Sequence, residues 1–234
     1  MNFEKYSEAL TRFELGVFPS IRENYQAICE SQDHLIADIC QQGAQIAGWK
    51  IVEDSGVVIL SPIFDFQVFS PNSTQIRQRD ISGIEMELCF PFYVPTTDEA
   101  FETDAALDAA IENQSPHSSI EMLRPQINPN SYLACDFYFN YGIIVSEQPV
   151  EGSFTLKVGN GSTEYDFTLR DNDLCSEKRA LLKSGVLECM RRDYTGKEYF
   201  FMTGSLNGLI PTEICVGENL VVDKQEKRLS FHVE

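Results

Sequence analysis

Several features that would assign this chain to a familiar class are missing from its 234 residues. No apolar run approaches the roughly 18 residues that a membrane-crossing helix needs, so no transmembrane segment is predicted. The first residues, 1–5, have neither a basic start nor a following apolar stretch, so we expect no secretory signal. Internal repeats, low-complexity tracts and heptad arrays are also missing, which leaves an ordinary globular domain as the expectation.

The seven cysteines form no CxxC pair, and their number is odd. A disulfide framework favours an even count at close spacing, and a zinc site favours paired cysteine or histidine ligands. Most of the cysteines lie in apolar surroundings, so we expect buried, reduced thiols and a cytoplasmic protein. The three histidines, His34, His117 and His232, are isolated in the sequence, and we expect them to be structural or exposed.

Basic residues are few, with 18 against 36 acidic residues and a formal charge of −18. Such a charge repels nucleic acid phosphates and anionic lipid, so neither is an expected partner. It also repels an anionic substrate, unless a bound cation or a local lysine or arginine offsets the field.

The first part of the chain has the pattern of helices. Apolar residues at helical spacing predict an amphipathic helix over 2–14. The Ser-Ile-Arg-Glu string at 20–23 has the form of a capping box, which predicts a second helix from there to a stop at Gly43. We therefore assign residues 1–47 to an N-terminal helical region.

Residues 48–234 are rich in β-branched and aromatic runs and form the second expected unit, a β-rich domain. The Asn160-Gly161 pair between two alternating runs predicts a hairpin with a tight primed turn, since both central residues of that turn need positive φ. Two helices are expected among the strands, from Thr96 to about Ile111 and from Ser176 onward. Helices followed by a β-rich body indicate an α+β fold. The expected strands are 57–60, 83–92, 132–145, 154–158, 165–169, 199–202, 220–222 and 229–233.

The strand over 83–90 carries two acidic residues on one face. Successive strand side chains point to opposite faces, so Glu85 and Glu87 share one face and the apolar residues share the other. Two carboxylates roughly 6–7 Å apart repel each other unless the face is wet or a cation lies between them. Mg²⁺ and Mn²⁺ prefer such oxygen ligands. A solvated strand face is the open alternative.

Five strings follow one another in a particular order. They are Gly-Trp-Lys-Ile at 48–51, Asp-Phe-Gln-Val-Phe at 65–69, the Glu-x-Glu strand at 83–90, Ser-Ile-Glu-Met-Leu at 119–123 and Met-Thr-Gly-Ser-Leu at 202–206. In this order they resemble the 2-hydroxypentadienoate (2-keto-4-pentenoate) hydratases and 4-oxalocrotonate decarboxylases, a branch of the fumarylacetoacetate hydrolase superfamily. The resemblance implies a mixed β-roll around a central site, with the N-terminal helices packed outside.

The same resemblance implies which residues form the site. The three implied metal ligands, for Mg²⁺ or Mn²⁺, are Glu85, Glu87 and Glu121. Lys50 would hold the substrate carboxylate or transfer a proton, Asp65 matches a position of acid–base work, and Ser205 lies in a loop that approaches the substrate. Each has a plain alternative: a surface lysine, a turn aspartate, a turn serine and, for Glu121, a helix-end or exposed residue.

The implied activity is that of a metal-dependent lyase. In the family, a small 2-oxo or 2-hydroxydienoic acid binds the metal, which stabilises an enolate as a proton moves. Hydration is preferred here over decarboxylation, and an acylpyruvate-type carbon–carbon hydrolase is a related possibility. The expected partners are the small-molecule substrate and other subunits, in a homo-oligomer or a complex with a related chain.

Three departures from the family lie on the substrate side of the site. The family's Asp-Asn-Ala-Ser-Ser-Gly segment is Asp-Phe-Tyr-Phe-Asn-Tyr-Gly at 136–142, and the glycine of its Asp-Phe-Gly element is Gln67. The Gly-His-Pro segment with its Ala/Leu/Trp helix is not recognisable between Thr168 and Met190. A degenerate, non-catalytic member that serves as a ligand-binding or partner subunit is therefore an alternative, and an unrelated structural protein is another.

Overall fold

The computed structural model of the protein describes residues 1–12, 20–96, 101, 103–125, 137–169 and 172–234. The helices are α1 (Phe3–Arg12), α2 (Tyr25–Gln41), α3 (Asp104–Glu112), α4 (Asn172–Arg191) and α5 (Thr212–Cys215). The strands are β1 (Ile46–Asp54), β2 (Val57–Phe64), β3 (Val68–Phe69), β4 (Thr74–Ile76), β5 (Gly83–Val94), β6 (His117–Leu123), β7 (Asn140–Pro149), β8 (Ser153–Val158), β9 (Thr163–Thr168), β10 (Lys197–Ser205), β11 (Ile210–Pro211), β12 (Gly217–Asp223) and β13 (Glu226–Val233).

The strands form two mixed sheets. The first has the order β2-β1-β10-β5-β6-β7-β3, with the short β11 also paired to β5. The second has the order β4-β13-β12-β8-β9. The pairs β1–β10, β3–β7 and β4–β13 are parallel, and the others are antiparallel. Helices beside curled mixed sheets confirm the predicted α+β class.

The first sheet curls until its opposite ends meet. The hydroxyl of Ser61 on β2 donates to the carbonyl of Phe137, 2.8 Å away, and the amide of Asn140 on β7 donates to the Pro62 carbonyl at 3.3 Å. The buried Gln67 side chain donates to the carbonyls of Asn140 and Tyr141, both at 3.1 Å. Gln67 therefore helps to close the roll.

Each face of the rolled sheet has its own apolar packing. The outer face contributes Trp49, Met86, Leu88 and Phe90 to a large core that also includes residues of α2 and α4 and of the second sheet. The inner face holds a smaller buried cluster made of Ile63, Cys89, Ile143, Val145 and Met202. Because side chains alternate along each strand, one face of the sheet packs outward against the large core and the other face points into the roll.

The N-terminal helices share the large core with the strands. Tyr6 of α1 packs its ring against Phe64 and Phe66, with ring centres 5.9 Å and 5.5 Å away. Leu35 and Ile39 of α2 are buried in the same core. The division of the chain at residue 47 stays a prediction. Among the described residues, no helix is long and apolar enough to span a membrane.

Helix boundaries differ from the prediction where local signals were followed. The helix expected over 2–14 is α1, and residues 13–14 lie outside the described part. The Ser20 hydroxyl does accept from the Glu23 N–H at 3.4 Å, but it closes a turn, and α2 begins only at Tyr25. Gly43 follows the helix with a φ of 94°, as expected for a stop.

The later helices also begin elsewhere than predicted. Of the Thr-Thr-Asp-Glu string expected to cap α3, residues 97–99 lie outside the described residues, and the cap is instead Thr103, whose hydroxyl accepts from Ala106 N–H at 3.2 Å. Helix α4 begins at Asn172, four residues before the expected cap.

The hairpin prediction was right in place and wrong in turn type. β8 and β9 pair from Val158 opposite Thr163, so the connection has four residues, 159–162. Gly159, Asn160 and Gly161 all have positive φ, which a two-residue primed turn does not need. The strand expected over 132–145 begins at Asn140 among the described residues, and 132–136 lie outside them.

Candidate metal centre

Strand β5 places two acidic side chains on the inner face of the roll. Met86 and Leu88 point outward and have no exposed surface, while Glu85 and Glu87 point inward. The predicted alternation over this strand is confirmed. Glu87 is 0% exposed, so for this residue the solvated strand face is ruled out.

Strand β6 brings the third carboxylate to the same place. Glu121 lies directly opposite Glu85 in the antiparallel register, and directly opposed residues have their side chains on the same face. One carboxylate oxygen from each of Glu85, Glu87 and Glu121 lies within 4.8 Å of the others. Glu121 is 1% exposed and belongs to a strand, so the helix-end and exposed alternatives are wrong.

Lys50 on β1 supplies a positive charge to this cluster. Its Nζ lies 2.7 Å from Oε2 of Glu121, and the residue is buried, so it is not a surface lysine. Three ionised carboxylates and this one ammonium have a formal charge of −2, which one divalent cation would balance.

Burial and mutual repulsion alter the acidity of these groups. Burial raises the pKa of Glu87 well above its ordinary value, the charge of Glu121 raises it further, and Lys50 acts in the opposite direction. The pKa of Glu85 is raised by the same causes. Burial alone would lower the pKa of Lys50, but Glu121, Glu87 and Glu85 outweigh it and raise that pKa. A further cation beside Glu85 and Glu87 would therefore favour their ionised forms, as Lys50 already does.

The oxygen atoms of the site suit a hard divalent cation. Oε2 of Glu87 accepts the Gly204 N–H at 3.0 Å, while Oε1 of Glu87 and Oε1 of Glu121 are buried and accept no hydrogen bond from an N–H or hydroxyl donor of the described residues. Buried carboxylate oxygens normally have partners, and a cation bound by oxygen ligands would satisfy these atoms. The residues present therefore fit Mg²⁺ or Mn²⁺, and metal binding by them stays a prediction.

Ser205 lies beside the carboxylates, at the end of β10. It pairs with Glu87 across β10 and β5, which puts both side chains on one face. Its hydroxyl oxygen accepts the N–H groups of Gly208 at 2.8 Å and Asn207 at 3.4 Å. The serine therefore shapes the turn, as the turn-serine alternative predicted, and its hydroxyl also has a proton that it can donate.

Asp65 is the predicted residue that the structure does not bring to the cluster. It is exposed, and its Oδ1 accepts the backbone N–H of Gln45 at 3.1 Å. Lys50 pairs with Ser61, and Asp65 lies four residues further along the chain, roughly 13 Å away at strand spacing. This geometry is that of a turn aspartate, the alternative named for Asp65. Its position does not support a role in acid–base catalysis at the cluster.

The aromatic segment at 137–139 closes the roll next to Lys50. Phe137, Tyr138 and Phe139 have φ values of 47°, 48° and 63°, an unusual run for bulky residues. Ser61, whose hydroxyl holds the Phe137 carbonyl, is the partner of Lys50 across β1 and β2. Such backbone persists only where the surroundings determine it, and here the closing hydrogen bonds do so. Asp136 lies outside the described residues.

The sequence analysis missed a second buried lysine near the cluster. Lys178 of α4 donates through Nζ to the carbonyls of Thr203 and Gly204, at 2.8 Å and 2.9 Å. Burial lowers its pKa, and the charge of Glu87 opposes that shift. A signal was present: Lys178 lies four residues before Leu182 and eight before Val186, on the apolar face of the helix.

No family model matches the sequence, and no curated protein matches it significantly. The whole chain matches solved structures of 4-oxalocrotonate decarboxylase from Pseudomonas putida G7 at 12% identity, over 99% of that chain. The TM-score is 0.60 for the complex with magnesium and adipate and 0.63 for the complex with calcium and acetate. A protein assigned to the fumarylacetoacetate hydrolase family from Yersinia pestis CO92 matches at 11% identity, over 82% of this chain and 94% of that chain, with a TM-score of 0.51.

These likenesses identify the architecture. The chain has the fumarylacetoacetate hydrolase-like fold that the ordered strings predicted, and its sequence has diverged to about one identical residue in eight from the decarboxylase that it resembles over its full length.

Proposed function

We propose that the protein is a divalent-metal-dependent lyase that uses Mg²⁺ or Mn²⁺ and acts on a small 2-oxo or 2-hydroxydienoic acid. Water addition is preferred over decarboxylation as the reaction. The observation that carries the proposal is the cluster of Glu85, Glu87 and Glu121, two of them fully buried, beside the ammonium of Lys50. The magnesium and calcium complexes of the similar decarboxylase support a divalent cation in this fold.

The residues of the chain divide the work of such a reaction. The carboxylates of Glu85, Glu87 and Glu121 would hold the cation, which supplies a Lewis acid for the 2-oxo group and for the negative charge of an enolate. Lys50 offers the nearest ammonium for a substrate carboxylate and for proton transfer. The hydroxyl proton of Ser205 is a donor at the same face. The inner-face apolar cluster keeps bulk water away from one side of these groups.

The test is turnover of a panel of 2-hydroxydienoates and 2-oxo acids by the Mn²⁺-loaded and Mg²⁺-loaded protein, followed by ultraviolet absorbance. We expect loss of dienoate absorbance in wild type and none in the Glu85→Ala/Glu87→Ala double variant. Glu198→Gln, an exposed carboxylate on β10, is the matched control and should retain wild-type rates. A metal-loaded protein that changes no compound of the panel would overturn the proposal.

A second candidate is a non-catalytic ligand-binding or partner subunit. The run of three aromatic residues with positive φ at Phe137–Phe139 favours it, because small polar residues of the substrate side are replaced there. Binding of oxalate to the metal-loaded protein without turnover of any substrate would support this candidate. Release of two acids from one diketo acid would instead identify an acylpyruvate-type hydrolase.

The proposal also includes an oligomeric assembly and a cytoplasmic location. We expect a homo-oligomer or a complex with a related subunit, which light scattering of the purified chain tests. The cytoplasmic location rests on reduced cysteines, and within the described residues all six are free thiols; Cys135 lies outside that part.

A further inference from the structure

Lys178 is a buried cation whose hydrogen bonds go to backbone carbonyls. It is 6% exposed, and its Nζ binds the oxygens of Thr203 and Gly204 at 2.8 Å and 2.9 Å. No carboxylate of the described residues forms a salt bridge with it. Burying an ammonium without an ion pair costs free energy of desolvation, so another favourable effect must offset that cost at this position.

One peptide group connects Lys178 to the carboxylate cluster. The carbonyl of Thr203 and the N–H of Gly204 belong to the same peptide bond, and in a trans peptide these two groups point in opposite directions. The carbonyl accepts from Lys178, and the N–H donates to Oε2 of Glu87 at 3.0 Å. Helix α4 packs on the outer face of the roll, so this peptide spans from the outer helix to the inner carboxylate.

We infer that Lys178 is a positioning residue for Glu87, acting through the Thr203–Gly204 peptide and thereby setting the affinity of the metal centre. The inference rests on the proposed function. It assigns a role to a residue on α4 that forms no salt bridge with the carboxylates of the described residues and reaches them through a peptide group.

Two physical effects produce this role. A positive charge on the carbonyl polarises the amide, which makes the N–H a stronger donor to the Glu87 carboxylate. Oε2 accepts that hydrogen bond, so Oε1 of Glu87 would be the oxygen available to hold a cation. Partners that orient a metal ligand in this way commonly change metal affinity about 10–100-fold when they are removed.

The local backbone shows why an anchor is needed. The pairing of β10 with β5 shifts in register between Met202 and Ser205, so the peptide is not held by a regular ladder. Gly204 has a φ of 84°, a conformation that other residues rarely adopt. The two carbonyl contacts from Lys178 fix this irregular turn in the orientation that aims its N–H at Glu87.

The experiment compares Mn²⁺ affinity of folded wild type, Lys178→Met and Lys178→Arg by electron paramagnetic resonance titration. We expect about 10–100-fold weaker binding in Lys178→Met and partial recovery in Lys178→Arg, which restores the charge. Lys183→Met is the matched control, because it removes a lysine of the same helix whose Nζ instead pairs with Asp108 at 2.6 Å. The control should bind Mn²⁺ as wild type does.

The outcomes separate this inference from the proposal on which it rests. Wild type that binds no Mn²⁺ overturns the metal centre and the inference together. Wild type that binds, with Lys178→Met at the same affinity and a lower unfolding temperature, overturns the inference alone, because a merely structural lysine affects stability without altering affinity. If Lys178→Met does not fold, the same Mn²⁺ titration is made on Lys178→Gln, which removes the charge and keeps a neutral donor. Weaker binding than in wild type then supports the inference, and equal affinity overturns it.

Discussion

Glu87 combines complete burial with the charges of two neighbouring carboxylates, and its pKa is raised in the folded protein. In the unfolded chain its carboxyl ionises near the ordinary value of about 4.5. The folded state therefore binds the proton more tightly, and without metal its stability falls as the pH rises from there toward the raised pKa. A bound cation removes that cost, because it stabilises the ionised form.

Glu87→Gln should therefore have opposite effects on stability and on binding. In the metal-free protein at pH 7 we expect a higher melting temperature than in wild type, because the neutral amide does not ionise. Each unit of pKa shift corresponds to about 1.4 kcal/mol, and each kcal/mol to about 2–4 °C for a chain of this size. The difference should shrink as the pH falls to about 4.5, where folded wild-type Glu87 is protonated and the carboxyl of the unfolded chain is half protonated.

Calorimetry of both proteins from pH 4.5 to 8, with chelator and then with Mn²⁺, makes the measurement. In Mn²⁺ the order should reverse, because the variant loses a metal ligand. Glu198→Gln controls for the change of net charge and should melt as wild type does. A Glu87→Gln protein that is less stable than wild type without metal would contradict this account of the site.

At the scale of elements, Lys50 depends on the close contact between β1 and β10. Gly48 lies opposite Phe200 in the parallel pair, two residues before Lys50. A Cβ at position 48 would come within 2.4 Å of the Phe200 carbonyl oxygen and 2.9 Å of its Cβ. The glycine thus permits an approach of two strands that no other residue allows.

Gly48→Ala should separate β1 from β10 and displace Lys50 from Glu121. Overpacking of this kind costs about 1–3 kcal/mol, so we expect a clear fall in denaturant midpoint. Weaker oxalate binding by the metal-loaded protein should accompany it. Glu53→Ala, further along β1, is the comparison and should change neither property. Unaltered stability of Gly48→Ala would show that the strands separate without strain.

Local sequence patterns predicted that Glu85 and Glu87 share a face, but only the resemblance to a family predicted that Glu121 and Lys50 join them in one site. Alternation predicted the two faces of β5 correctly, because burial on one side selects apolar residues locally. The pairing of Glu85 with Glu121, the curl that buries both strands and the reach of Lys178 from α4 all depend on long-range packing. Local signals failed at Ser20, where the capping hydrogen bond closes a turn instead of starting a helix. They also failed at the Asn160-Gly161 connection, where Asn160 forms long-range hydrogen bonds with the backbone of Glu218.

For the whole molecule, a formal charge of −18 opposes the approach of an anionic substrate to the metal centre. Salt screens this repulsion over about 10 Å at 0.1 M ionic strength. The association rate of oxalate with the Mn²⁺-loaded protein should therefore rise between 0.02 M and 0.3 M salt. The rise should be smaller for pyruvate, which carries one charge fewer. Stopped-flow measurement gives both rates, and a rate that falls with salt would mean that the local positive groups dominate the field.

The central claim is that Glu85, Glu87 and Glu121 form a divalent-metal site in the folded protein. Thermal unfolding of the chelated chain with and without Mn²⁺ tests it most directly, alongside the Glu85→Ala/Glu87→Ala variant. A ligand at a hundredfold excess over its dissociation constant stabilises by about 2.7 kcal/mol, which is roughly 5–11 °C here. We predict that shift in wild type and none in the variant. An unshifted wild type, or an equal shift in both proteins, would contradict the claim.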